Sequence, residues 1–187
     1  MATTPRAVVM TAQEYTAQEY EALPPDNRIE LVDGIIQIRP APTTRHQIVV
    51  DNLRAALAVC CPATVRIVRA LELRLADLHR RDPDLMAVWM PVDDLDLSRF
   101  TPDHVLLVVE VVSPGTQTTD RLHKPAEYAT AGIEHYWRVE IAPRLSVHTY
   151  RLADSGRYAN TGRYTEGDTV AAPGLPWATI AISDLTP

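Results

Sequence analysis

The sequence predicts a fold of the α/β (α+β) class, a mixed β-sheet flanked by helices. Three observations lead there. From residue 44 onward the apolar pattern switches between helical spacing and alternation in the order α, β, β, β, α, β. Residues 104–113, HVLLVVEVVS, form the most apolar run and read as a central strand covered on both faces. Asp33-Gly34 lies between two short apolar runs, a two-residue hairpin signal. With 187 residues, 46% of them hydrophobic and 22% charged, the chain suits one domain over 1–187, its core at about 44–140.

Taken in order, residues 11–23 contain the repeat TAQEYTAQEY, too short for a repeat architecture. They read as an amphipathic helix stopped by Pro24-Pro25. Residues 28–32 and 35–39 are the hairpin strands, ended by Pro40 and Pro42. Ile48, Val49, Leu53, Ala56 and Leu57 give 44–59 helical spacing, with Thr43 or Thr44 as cap. In 70–76, Leu71, Leu73 and Leu75 alternate strictly with Glu72 and Arg74, a half-buried strand, or with the alternating 64–69 one long bent strand over 64–76. Residues 76–82 read as a polar turn, 83–90 as a strand and 91–103 as an acidic loop. A helix over 118–131 closes at Gly132. Pro125 disfavours helical geometry at Lys124, which places Lys124 at the helix start with 116–123 leading in. Strands at 134–140 and 145–152 open a β-rich tail.

Composition narrows the function. No apolar run approaches the ~20 residues of a membrane span, and the N-terminus has no signal-peptide pattern. Cys60 and Cys61 are adjacent, unsuited to a disulfide framework or a closed zinc site, so a reducing cytoplasm is expected. They read as small buried hydrophobes at a helix end. The net charge of −6 argues against coating nucleic acid by bulk electrostatics. Arg66, Arg69, Arg74, Arg80, Arg81 and Arg121 offer at most a local basic patch. No Gly-x-Ser-x-Gly elbow or Gly-rich nucleotide loop occurs.

Three residues stand out. Glu110 sits inside a run that should be buried on both faces, where an uncompensated carboxylate is expensive. Asp84 follows Pro83 and opens the next strand. Lys124 is the single lysine beside 17 arginines, and Arg cannot replace a compact, titratable ammonium. Two carboxylates on neighbouring strand ends with a lysine close by suit magnesium, which takes few protein oxygens and leaves room for water and phosphate. Glu72, Asp93, Asp94 and Asp96 read as solvated, and Trp89, Trp137, Tyr128 and Tyr136 as core.

Pro83-Asp84, Glu110-Val111-Val112-Ser113-Pro114, Asp120-Arg121, Lys124, Tyr128, Ala131-Gly132-Ile133 and Tyr136-Trp137 resemble the bacterial "putative restriction endonuclease" family of the PD-(D/E)xK nuclease superfamily. The likeness reaches back to Glu30–Gly34 and His46 and covers roughly residues 10–152. It implies a restriction-endonuclease-like αβββαβ core, here with an N-terminal helix and hairpin and a β-rich tail. It also implies a magnesium- or manganese-dependent endonuclease acting on nucleic acid, DNA first. Asp84 and Glu110 would be metal ligands, with the Val111 carbonyl a third. Lys124 would be the catalytic lysine. The superfamily lysine stands two residues after the Glu, where this chain has Val112, so Lys124 would act from the following helix. Glu30 joins the catalytic candidates. His46 and Asp120 are further ones, their plainer roles being surface or cap residues. The alternative function is an inactive nuclease fold kept as a binding or assembly module. A homodimer through the hairpin edge or the tail is a further expectation.

Overall fold

A computed structural model describes residues 13–24, 26, 28–89 and 96–187. The chain runs through helix α1 (Ala17–Glu21), strands β1 (Ile29–Val32) and β2 (Ile35–Ile38), and the long helix α2 (Thr44–Cys60). Strands β3 (Val65–Val68), β4 (Glu72–Ala76), β5 (His79–Arg81), β6 (Leu85–Trp89), β7 (Arg99–Phe100) and β8 (Val105–Val112) follow. Helix α3 (Lys124–Thr130) then leads to β9 (His135–Glu140), β10 (Ser146–Leu152), β11 (Tyr158–Tyr164), β12 (Thr169–Ala171) and β13 (Thr179–Ala181).

The central sheet has the order β11-β10-β9-β8-β6-β3. Within it β8 and β9 are parallel, and α3 makes the crossover between them. This is the predicted mixed sheet. Its two faces carry two apolar layers. Val49, Val50, Leu53 and Leu57 of α2 pack with Leu85, Ala87, Leu107, Val109, Val111 and Trp137. On the other face Met86, Val88 and Val108 meet Tyr128, Ile133 and Tyr136. Each such aliphatic side chain contributes about 1.5–3 kcal/mol when fully buried. The alternation of β8 therefore sends Val109 and Val111 towards α2 and Val108 towards α3, and Glu110 shares the α3 face with Val108.

A second sheet, β2-β1-β5-β4-β7, flanks the first. Its hairpin forms as predicted, because Asp33 (φ 52) and Gly34 (φ 79) take the left-handed conformations of a two-residue turn. Thr43 caps α2 by accepting from the His46 N–H. Within the predicted N-terminal helix, the described helical turn is Ala17–Glu21, closed by a reciprocal Thr16–Glu19 capping box.

Several expectations are corrected. Of the two readings of 64–76, the single long bent strand is overturned, and 72–76 is a strand of its own. The stretch breaks at Ala70 (φ 51), and β3 joins the central sheet while β4 joins the second. The expected turn at 76–82 is reduced, because His79–Arg81 pairs with both β1 and β4. Arg80 and Arg81 can lie in a buried strand because carboxylates meet them, Glu21 and Glu72 for the first, Glu30 and Glu127 for the second. Most arginines of the expected patch are matched by carboxylates, Arg69 by Asp51, Arg74 by Glu21 and Arg121 by Glu140, while Arg66 meets backbone carbonyls. Glu72, expected in solvent, is half-buried in this network. Trp89 is 52% exposed at the outer end of β6, opposite the edge strand β3. Cys60 is exposed beyond the last buried turn of α2. Asp93 and Asp94 lie outside the described residues, and Asp96 is exposed.

Residues 119–123, expected as a turn leading in, form a widened helical turn. The Lys124 N–H reaches back to the Thr119 carbonyl, and Lys124 is itself helical. Pro125 has no N–H and crowds the carbonyl one turn back, and the extra residue in this turn makes room for it. Among the described residues no helix is long and apolar enough to cross a membrane.

Candidate active site

The site lies where β6 begins and β8 ends. The antiparallel register Leu85↔Val109, continued by one residue, sets Asp84 opposite Glu110. Asp84 Oδ2 accepts from the Val111 N–H at 2.8 Å and lies 3.1 Å from His46 Nε2. Its Oδ1 accepts from Arg39 at 2.9 Å. Burial alone would raise the Asp84 carboxyl. The His46 hydrogen bond and the Arg39 charge outweigh burial and hold it well below the usual carboxylate range.

Glu110 is fully buried. Tyr128 Oη donates to its Oε1 at 2.6 Å, and Lys124 Nζ donates to its Oε2 at 2.9 Å. Lys124, only 2% exposed, also meets Asp120 at 3.2 Å and Glu30 at 3.9 Å. Burial opposes its charge, but these three carboxylates more than compensate and fix it as an ammonium. For Glu110 burial dominates. Lys124 opposes it, while Asp84 and Asp120 add to it, and the carboxyl rises to about 7. Burial also works against ionised Glu30, and Lys124, Arg39 and Arg81 overcome it.

Asp84, Glu110, Val111, Lys124, Glu30, His46 and Asp120 thus converge. Glu30, on a hairpin strand where a solvated position was equally open, is 3% exposed and accepts from Arg81 at 2.8 Å. His46 turns its ring inward onto Asp84 while its backbone N–H is capped by Thr43. Its Nδ1 is buried without a hydrogen-bond partner among the described residues. Asp120 is not a cap. Its carboxylate goes to Lys124, one helical turn away, and its carbonyl accepts from Tyr136 Oη.

The sequence reading missed Arg39 and the Arg81–Glu127 pair, and it took Tyr128 as core alone. Arg81 makes a two-pronged contact with Glu127 at 2.7 and 2.8 Å, so one guanidinium ties α3 to Glu30 on β1. The adjacency Arg81-Asp82-Pro83-Asp84 was the available signal for Arg81. Arg39 had a weaker one, as the last residue before Pro40 at the end of a hairpin strand.

Two openings reach the cluster. A cleft of about 220 Å³ is lined by Asp84, Val111, His46, Arg39 and Ser113. A smaller one is lined by Lys124, Glu30, Asp120 and Gly115. Arg39, Pro40, Thr116 and Asp120 border both.

Among the described residues, no three His, Cys, Asp or Glu side chains form a ready-made metal cage. A magnesium or manganese ion needs less, because it takes one or two carboxylates and keeps several waters. The donor set fits such an ion. Each Glu110 oxygen accepts one hydrogen bond, which leaves acceptor capacity on both. The carboxylates Asp84, Glu110, Glu30 and Asp120 are faced by Lys124, Arg39, His46 and the shared Arg81.

Comparison with known proteins agrees with this architecture. The family described as Uma2, putative restriction endonuclease, matches residues 17–183. The fold is similar to the crystal structure of a putative nuclease of the DUF820 family from Anabaena variabilis ATCC 29413. The TM-score is 0.72 at 18% identity, covering 91% of this chain and 96% of the other, so the likeness is one of fold. No curated protein matches the chain.

Proposed function

The chain belongs to the Uma2 family of putative restriction endonucleases, and from that membership and the geometry above we propose that it is a magnesium- or manganese-dependent endonuclease hydrolysing phosphodiester bonds of DNA. One observation carries the reading. The single lysine of the chain is buried in ionic contact with Glu110, beside an aspartate on the neighbouring strand end that the Val111 N–H holds in place. Burying an ammonium among carboxylates is not a route to extra stability, because apolar residues of similar volume do as well or better. A functional demand accounts for it more directly.

In this proposal Asp84, Glu110 and the Val111 carbonyl hold the metal. When bound, the ion supplies electrophilic polarisation of the phosphate and acidifies the attacking water. The protein's own groups do the positioning. Tyr128 orients Glu110, while His46 and the Val111 N–H orient Asp84. Lys124 serves as a fixed ammonium that orients the water and offsets charge developing on phosphate, with Glu30 and Asp120 setting its position. We assign the whole of 1–187 to this one nuclease domain, with Ile35–Ile38 as an outer edge strand that a second copy could pair.

The test is cleavage of plasmid DNA with manganese. Asp84→Ala, Glu110→Ala and Lys124→Ala should each lower the rate by about a hundredfold or more while the protein stays folded by circular dichroism. Wild-type cleavage by either carboxylate variant rejects the metal assignment.

A further inference from the structure

We propose that Arg39 is the phosphate-binding residue of this site, a guanidinium that Asp84 holds at the cleft wall before substrate arrives. The inference rests on the reading of the site as a phosphodiesterase and adds a residue to it. Three observations carry it.

The first is its incomplete engagement. Arg39 Nη2 donates to Asp84 and Nη1 to the Asp82 carbonyl, whereas its Nε stands 3.8 Å from Glu30, too far for a hydrogen bond. Its side chain remains 22% exposed. Arg81 is the contrast. All three of its nitrogens reach carboxylates and its side chain is 2% exposed. Arg80 likewise is fully buried, against Glu21, Glu72 and the Asp77 carbonyl. Those two serve the fold. Arg39 has donors to spare and faces solvent.

The second is location. Arg39 borders both openings and touches Asp84, one carboxylate of the catalytic pair, from the wall of the larger cleft. The other arginines of the larger cleft are engaged elsewhere, Arg28 by Asp26, and Arg69 by Asp51 and Gln47. An anionic phosphate approaching Asp84, Glu110, Glu30 and Asp120 needs a positive group on the wall. A planar guanidinium matches two phosphate oxygens at once.

The third is preorganisation. The Arg39 N–H donates to the Arg28 carbonyl at 2.7 Å, and Pro40 follows directly, so the backbone that aims the side chain is fixed on both sides.

The test uses wild type, Arg39→Gln and Arg39→Lys, each checked by thermal unfolding. Manganese binding is measured by calorimetry. Binding of a short labelled oligothymidylate is measured by anisotropy with calcium in place of manganese, beside the same strand with uncharged methylphosphonate linkages. Wild type should prefer the charged strand, and Arg39→Gln should bind it roughly ten- to a hundredfold more weakly. The variant should also lose the preference over the uncharged strand. Arg39→Lys should recover only part of the loss, since an ammonium lacks the fork. Manganese affinity should not fall in either variant, a readout that a merely structural Arg39 would move. Wild-type affinity of both variants for the charged strand overturns the inference alone. Parallel loss of manganese and strand binding also overturns it, because Arg39 would then only shape Asp84. A wild type that binds no manganese defeats the underlying reading of the site, and the inference with it.

Discussion

Replacing Lys124 with Met removes the cation from a pocket that keeps Glu110, Asp120 and Glu30. The closest ion pair this breaks, Lys124 Nζ to Glu110 Oε2, spans 2.9 Å, and Glu110 is fully buried. Removing one partner of a buried ion pair costs about 3–5 kcal/mol, because the partner left behind stays desolvated. The pH dependence follows from Glu110. With Lys124 present its carboxyl already sits at about 7, against an ordinary 4.5. A raised folded-state value gives stability that is fully present below pH 4.5 and is lost as pH rises through about 7. That gap corresponds to about 3 kcal/mol. Without the lysine the carboxyl rises further, so the variant's deficit should be smaller near pH 5, where only the losses at Glu30 and Asp120 remain, and close to the full value at pH 8. Urea unfolding at both pH values measures it. Adding Glu110→Gln should restore about 2 kcal/mol or more at pH 8, because the buried charge is gone. A deficit under about 1 kcal/mol that does not change with pH would refute the assignment of Lys124 as the compensating charge.

Other outcomes follow from the same network. Glu127, drawn down to about 2 because hydrogen bonds from His79 and Arg81 overcome its burial, contributes stability above pH 4.5 that is lost as pH falls through about 2. Glu127→Gln should therefore cost about 2–3 kcal/mol at pH 7 and far less at pH 2.5, read from urea midpoints at each pH. Leu53→Ala, at a fully buried position of α2, should lower stability by about 2–5 kcal/mol and leave manganese binding intact.

Much of this structure is readable in the residues themselves. The hairpin is legible because Asp-Gly favours the left-handed turn, and β8 because eight residues of near-continuous apolarity fit few other places. Glu110 and Lys124 stand out by contrast, one charge in an apolar run and one lysine among arginines. What stays hidden depends on partners distant in sequence. Arg80 and Arg81 look like turn residues until Glu21, Glu30, Glu72 and Glu127 are brought to them. The break at Ala70 carries no Gly or Pro, so nothing local marks the point where one alternating stretch divides between two sheets. Trp89 reads as core on its type alone, yet it is 52% exposed.

The central claim is that Asp84 and Glu110 hold a divalent cation, and the most direct measurement is calorimetric titration of manganese into wild type and Glu110→Ala. Wild type should give a saturable heat that is absent with the variant, while circular dichroism shows both folded. Equal binding by the two proteins, or no binding by the wild type, would contradict that claim.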